Sequence, residues 1–72
     1  MSTFSERILK LKKEKNLLQK DIAENISVSL RSYQDYEYGK MEPKMSNLVA
    51  LADYFDVSLD YLVGRSDDPT RH

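Results

Sequence analysis

QKDIAENISVSLRSYQDYEYGK, residues 19–40, decides the fold. Ile22, Ala23 and Ile26 form a short apolar stripe at helical spacing, which predicts a helix over about Gln19 to Asn25 with one buried face. Ser27 supplies a turn. Ser29 is a good N-cap, Gly39 is suited to the position just past a helix end, and Pro43 blocks any continuation. A second helix is therefore expected over about Leu30 to Tyr38. Two short helices thus meet at a tight turn, the first placed to brace the second.

Working outward, Thr3-Phe4-Ser5-Glu6 has the S/T-x-x-E form of a capping box, and Phe4, Ile8 and Leu11 recur at helical spacing to about Lys15. Beyond Pro43, Ser46 is expected to cap a fourth helix whose Leu48, Leu51, Ala52 and Phe55 lie within an arc of about 100°. Ser58 caps a last helix holding Leu59, Leu62 and Val63, which Gly64 ends. The polar segment from Arg65 to His72, with Pro69, is expected to fray. The predicted fold class is all-α, a compact five-helix bundle, with residues 1–64 as the domain and 65–72 as a tail.

The chain has 72 residues, close to the lower limit at which a hydrophobic core holds a fold by itself, so one domain is expected. It contains no cysteine, which excludes disulfides, thiolate metal sites and a cysteine nucleophile, and suits a reducing cytoplasm. No apolar run approaches the roughly 18 residues needed to span a bilayer, and no secretory leader is evident, so a cytoplasmic location is expected. The single histidine is residue 72, the carboxylates are dispersed, and no phosphate-cradling glycine loop exists. No catalytic residue, metal, cofactor or small-molecule ligand is therefore expected.

The net charge of −1 is unevenly spread. Residues 1–20 hold six basic and two acidic side chains, residues 21–44 three and five, and residues 45–72 two and five. Lys10, Lys12, Lys13, Lys15 and Lys20 are either a face for phosphate or an ordinary solvated helix surface.

On a helical wheel, Tyr33 and Tyr36 fall about 60° apart on the side assigned to the core, with Glu37 at its border. The opposite arc, about 140° wide, carries Leu30, Gln34, Tyr38, Arg31 and Asp35. In a helix-turn-helix unit the second helix enters the DNA major groove, and these residue types suit its base edges. Arg31 matches guanine O6 and N7, Gln34 adenine, Asp35 cytosine N4, and Leu30 a thymine methyl. The alternative is that the arc is merely a polar exposed face. The tyrosines are read as core rather than base-stacking residues, because the major groove of a duplex offers edges and not faces.

Leu17-Leu18-Gln19, Ile22-Ala23, Ile26, Val28-Ser29, Tyr33, Tyr36-Glu37, Gly39-Lys40, Pro43, Leu48, Leu51-Ala52 and Phe55-Asp56-Val57-Ser58-Leu59-Asp60-Tyr61-Leu62 follow one pattern in order and spacing. Over about residues 4–64 the chain resembles the Cro/C1-type (XRE family) helix-turn-helix domain of phage repressors and bacterial regulators. The resemblance implies a lambda-repressor-like bundle, a double-stranded operator as partner, a homodimer on a near-palindrome, and repression of transcription without catalysis. It further implies that Gln19 touches a phosphate and buttresses the recognition helix. Ser29 opens that helix; Leu30, Arg31 and Asp35 meet base edges, with Gln34 and Tyr38 beside them. Lys40 and Lys44 follow the DNA backbone, and Lys12 and Glu37 form a structural ion pair.

Four positions depart from that pattern. Leu18 stands where a Ser, Thr or Asn cap is usual, a loss typically of about 1 kcal/mol. Ser27 replaces a turn glycine, costing about 1 to 2 kcal/mol if its backbone is left-handed. Lys12 stands for arginine and forgoes bidentate geometry. Asp35 brings negative charge near phosphates, which either reads cytosine or repels other sequences. Tyr54 and Tyr61 are proposed as dimer contacts, with burial in their own monomer as the alternative. The rival to a DNA-binding regulator is a protein-interaction module on the same scaffold, such as an antitoxin or antirepressor.

Overall fold

Thr3 opens the chain's first helix with both halves of the capping box in place. Its Oγ1 accepts from the Glu6 backbone N–H at 3.3 Å, and Glu6 Oε1 accepts from the Thr3 backbone N–H at 3.0 Å. The Thr3 backbone N–H, and next the Thr3 hydroxyl donating at 2.9 Å, hold the Glu6 carboxyl below its ordinary pKa. The computed structural model describes residues 3–70 and contains five helices there: α1 Phe4–Glu14, α2 Gln19–Asn25, α3 Leu30–Glu37, α4 Met45–Phe55 and α5 Leu59–Leu62. Met1, Ser2, Arg71 and His72, which the expected domain and tail include, lie outside the described residues.

Helices α2 and α3 have the bounds that their apolar stripe and caps imply. Leu18 gives α2 no side-chain cap, yet its carbonyl accepts from Ile22 at 3.2 Å and the helix begins at Gln19 as expected. Ser29 Oγ accepts from the Ser32 backbone N–H at 3.0 Å to open α3, and Gly39, at φ 73°, follows its end. Between them Ser27 sits at φ 60°, in the left-handed region that disfavours a residue with a Cβ. Ser27→Gly is therefore expected to stabilise the fold by about 1 kcal/mol, raising the melting temperature by roughly 4 to 8 °C in a domain of this size. An unchanged or lowered melting temperature would show that the turn tolerates serine without strain.

The start of α4 corrects one expectation. Lys44, not Ser46, is the N-cap, and it offers no side-chain hydrogen bond. The buried Pro43 anchors the chain, and Lys44 is already extended, its carbonyl accepting from Asn47 and Leu48 at 3.0 Å each. Asn47 Nδ2 donates to the Tyr36 hydroxyl at 3.1 Å, holding this first turn against α3. Ser46 is thus drawn inside the helix. Ser58 does cap α5, accepting from the Tyr61 N–H at 3.1 Å.

Each helix contributes to one core. Its fully buried side chains are Ile8 from α1, Ile22 from α2, Tyr33 from α3, Leu51 and Phe55 from α4, and Leu62 from α5. Burial of these apolar surfaces is the main stabilising contribution in a chain with no crosslink. Among the described residues no helix is long and apolar enough to cross a membrane.

The segment after Gly64 is not frayed over its described part, residues 65–70. Arg65 N–H donates to the Asp60 carbonyl at 2.8 Å, and Ser58 N–H donates to the Pro69 carbonyl at 3.0 Å. Asp67 Oδ1 accepts from Arg7 Nη2 at 2.6 Å, and the Arg7 guanidinium lies 4.1 Å from the centroid of the Tyr61 ring. Hydrogen bonding to Asp67, then contact with Tyr61, holds the Arg7 pKa above its ordinary value. Tyr61 is consequently buried in its own monomer at 5% exposure, and its expected place as a dimer contact is corrected. Tyr54 is half-buried, edge-on to Phe55.

Candidate nucleic-acid interface

One side of α3 is locked into the protein and the other is open. Tyr33, Tyr36 and Glu37 are buried, as the wheel predicts for the tyrosines. On the opposite arc Leu30 is 44% and Tyr38 61% exposed, and the Arg31 side chain reaches 85%. Gln34 and Asp35 are partly covered. Arg31 Nε stands 3.9 Å from Asp35 Oδ1, a long exposed pair of the kind that contributes little to stability and exchanges readily for other partners. Lys40 and Lys44 are exposed in the connection that follows α3, on either side of Pro43's anchor.

Behind the open arc lies a polar cluster joining three helices. Glu37 Oε1 accepts from Lys12 Nζ at 3.0 Å and from Gln19 Nε2 at 3.0 Å. Gln19 Oε1 in turn accepts from Gln34 Nε2 at 3.2 Å. The expected ion pair is therefore present, and Gln19 supplies the second donor that a lysine, lacking arginine's fork, does not. The Glu37 side chain is 3% and the Lys12 side chain 17% exposed, so Lys12 is withdrawn from solvent, unlike the exposed Lys10 and Lys13 of α1.

Glu37 Oε2 and the Tyr33 hydroxyl are both buried, and neither has a hydrogen-bond partner among the described residues. Burial first, and the neighbouring Glu37 carboxylate second, push the Tyr33 phenol well above its ordinary pKa. The phenol therefore stays a neutral donor beside an acceptor-only carboxylate.

Leu30, Arg31, Gln34 and Asp35 lie on α3, Ser29 and Tyr38 cap its two ends, and Gln19 at the start of α2 bonds to Gln34, while Lys40 and Lys44 follow in the connection to α4. The Gln19–Gln34 bond is one that the wheel could not signal, because the partners belong to different helices. Lys10, Lys13, Lys15 and Lys20 are exposed, with Lys10 Nζ 3.8 Å from Glu14. Arg7 is withdrawn from the basic face by Asp67 and Tyr61. Among the described residues no group of three His, Cys, Asp or Glu side chains is arranged to hold a metal ion.

Residues 8–62 match the model of a family described as helix-turn-helix. The chain is 43% identical over 62 residues to the cryptic phage CTXphi transcriptional repressor RstR of Vibrio cholerae, covering 86% of this chain and 55% of that one. It is 38% identical over 66 residues to the uncharacterized HTH-type transcriptional regulator YobD of Bacillus subtilis, covering 92% and 59%. The chain thus spans somewhat more than half the length of these relatives. The P22 c2 repressor, in a crystal structure with synthetic operator 9T, superposes with a TM-score of 0.84 at 27% identity, covering 92% of this chain and 100% of that one. Spacing, helix order and these matches agree: the chain belongs to the helix-turn-helix family, in the Cro/C1-type group that its sequence resembles.

Proposed function

We propose that the protein is a sequence-specific double-stranded-DNA-binding transcriptional regulator, a repressor acting as a homodimer on a near-palindromic operator. It works in the cytoplasm, without cofactor or catalysis, and residues 1–64 are its DNA-binding unit. The observation that carries this reading is the two-sided character of α3, buried through Tyr33, Tyr36 and Glu37 and open through Leu30, Arg31 and Tyr38. The likeness to a repressor crystallised with operator supports it.

In this reading Arg31, Gln34, Asp35 and Leu30 face base edges. Gln19, Ser29, Tyr38, Lys40 and Lys44 hold the sugar-phosphate backbone, with the exposed α1 lysines adding long-range attraction. A single domain buries only about 600 to 1,000 Å² on DNA, which makes a dimer the natural unit. Tyr54 is kept as a dimer contact; Tyr61 is not.

Phosphate neutralisation gives the test. Duplex binding followed by fluorescence anisotropy from about 50 to 200 mM salt is expected to weaken steeply, because each neutralised phosphate releases counterions. Lys40→Ala should weaken binding to every sequence alike and reduce the log–log salt slope by roughly one. A loss confined to one base pair would move Lys40 to the reading surface. A flat salt response in the unmutated protein would instead favour a protein partner.

A further inference from the structure

We infer that Glu37 sets the hydrogen-bonding polarity of the DNA-facing edge through Gln19 and Gln34, which makes it a positioning residue for base preference. The inference rests on the reading of α3 as the recognition helix. An ionised carboxylate can only accept hydrogen bonds, whereas a glutamine amide carries a donor end and an acceptor end of nearly equal size. An isolated amide therefore turns over at little cost, and its orientation follows from its partners.

Here the partners leave one choice. Glu37 Oε1 lies 3.0 Å from the Gln19 amide, so Gln19 must turn its NH₂ inward. Its carbonyl then faces Gln34 at 3.2 Å, and Gln34 must answer with its own NH₂. Reversing Gln19 would set its oxygen against the carboxylate. Reversing Gln34 would set two carbonyl oxygens against each other. The 3.0 Å bond from Lys12 Nζ provides a positive partner for the carboxylate at the inner end of the chain.

The consequences at the surface follow from counting what remains. Gln19 keeps one unused N–H, which suits a phosphate oxygen, an acceptor only. Gln34 keeps its carbonyl oxygen and one N–H. That pair matches adenine, whose N6 amino group donates and whose N7 accepts in the major groove. A buried carboxylate that touches no DNA thereby favours adenine over its competitors at the base pair facing Gln34.

The test compares base preferences of the intact chain and its variants on a set of duplexes differing at one position at a time. Glu37→Gln keeps the shape of the side chain but can present either polarity, and should reduce the preference at one base pair by about tenfold. Gln34→Ala should remove the preference at that same base pair, and the double variant should lose no more than Gln34→Ala alone. Lys12→Arg keeps the carboxylate charged and paired, and should retain the preference. Should Glu37→Gln fail to fold, Gln19→Met carries the test, because it cuts the chain of amides and leaves the Lys12–Glu37 pair intact. It should weaken all sequences and also relax that base pair.

Unchanged preferences in Glu37→Gln and Gln19→Met, beside a clear preference in the unmutated protein, would overturn the inference. Absence of any base preference in the unmutated protein would overturn the underlying reading of α3 and the inference with it.

Discussion

Lys12→Met is expected to destabilise the fold by about 3 kcal/mol, measured by urea unfolding. The Glu37 side chain is 3% exposed and loses its Lys12 ion-pair partner in this variant, while Gln19 still donates to it. Removing one member of a buried pair leaves an uncompensated charge, which costs more than the pair itself contributes. A domain of 72 residues has a total stability of roughly 4 to 10 kcal/mol, so the loss is a large part of the whole. The double variant Lys12→Met with Glu37→Leu removes both charges and should regain most of that stability. It should lose the base preference at the position facing Gln34, which Lys12→Met alone keeps, because the amides of Gln19 and Gln34 then have no carboxylate to orient them. A Lys12→Met protein within 1 kcal/mol of the original would show that hydrogen bonding alone satisfies Glu37.

Arg31→Ala should have the largest effect on recognition, costing about 1 to 3 kcal/mol on the best operator and relaxing preference at one base pair. Its side chain is 85% exposed and spends the unbound state loosely beside Asp35 at 3.9 Å. Little is lost from the fold when it is truncated, so melting temperature should hardly change. In the groove, by contrast, a guanidinium aimed at guanine O6 and N7 makes two bonds that no other base edge reproduces. The substitution also removes the guanidinium beside Asp35. Titration of variant and parent on the same panel of operators separates the possibilities. Equal losses on every sequence would place Arg31 on phosphate.

Local signals were legible where the physics is local. The capping box at Thr3 and Glu6, the cap at Ser29 and the glycine after α3 depend on residues within a few positions of one another. The alternation of buried tyrosines and open polar positions on α3 likewise follows from helical period alone. Ser46 misled because the start of α4 is determined by Pro43 and by the bond from Asn47 to Tyr36, a partner on another helix.

Tyr61 and the tail misled for the same reason at longer range. Asp67 meets Arg7 across 60 positions of sequence, and the guanidinium so placed covers the Tyr61 ring. Periodicity assigns a face to each helix but not the neighbour that covers it. The candidate site divides in the same way. That Leu30, Arg31 and Tyr38 point outward was readable, whereas the partial covering of Gln34 and the bond joining it to Gln19 require the packing of α2 on α3 to be known.

Selection of binding sites from a random duplex pool, carried out at low and near-physiological salt, tests the central claim most directly. The account predicts a near-palindrome whose half-site centres lie about 10 base pairs apart, one helical turn, with guanine recurring at the position that Arg31→Ala relaxes. Failure to enrich any sequence at either salt would contradict it.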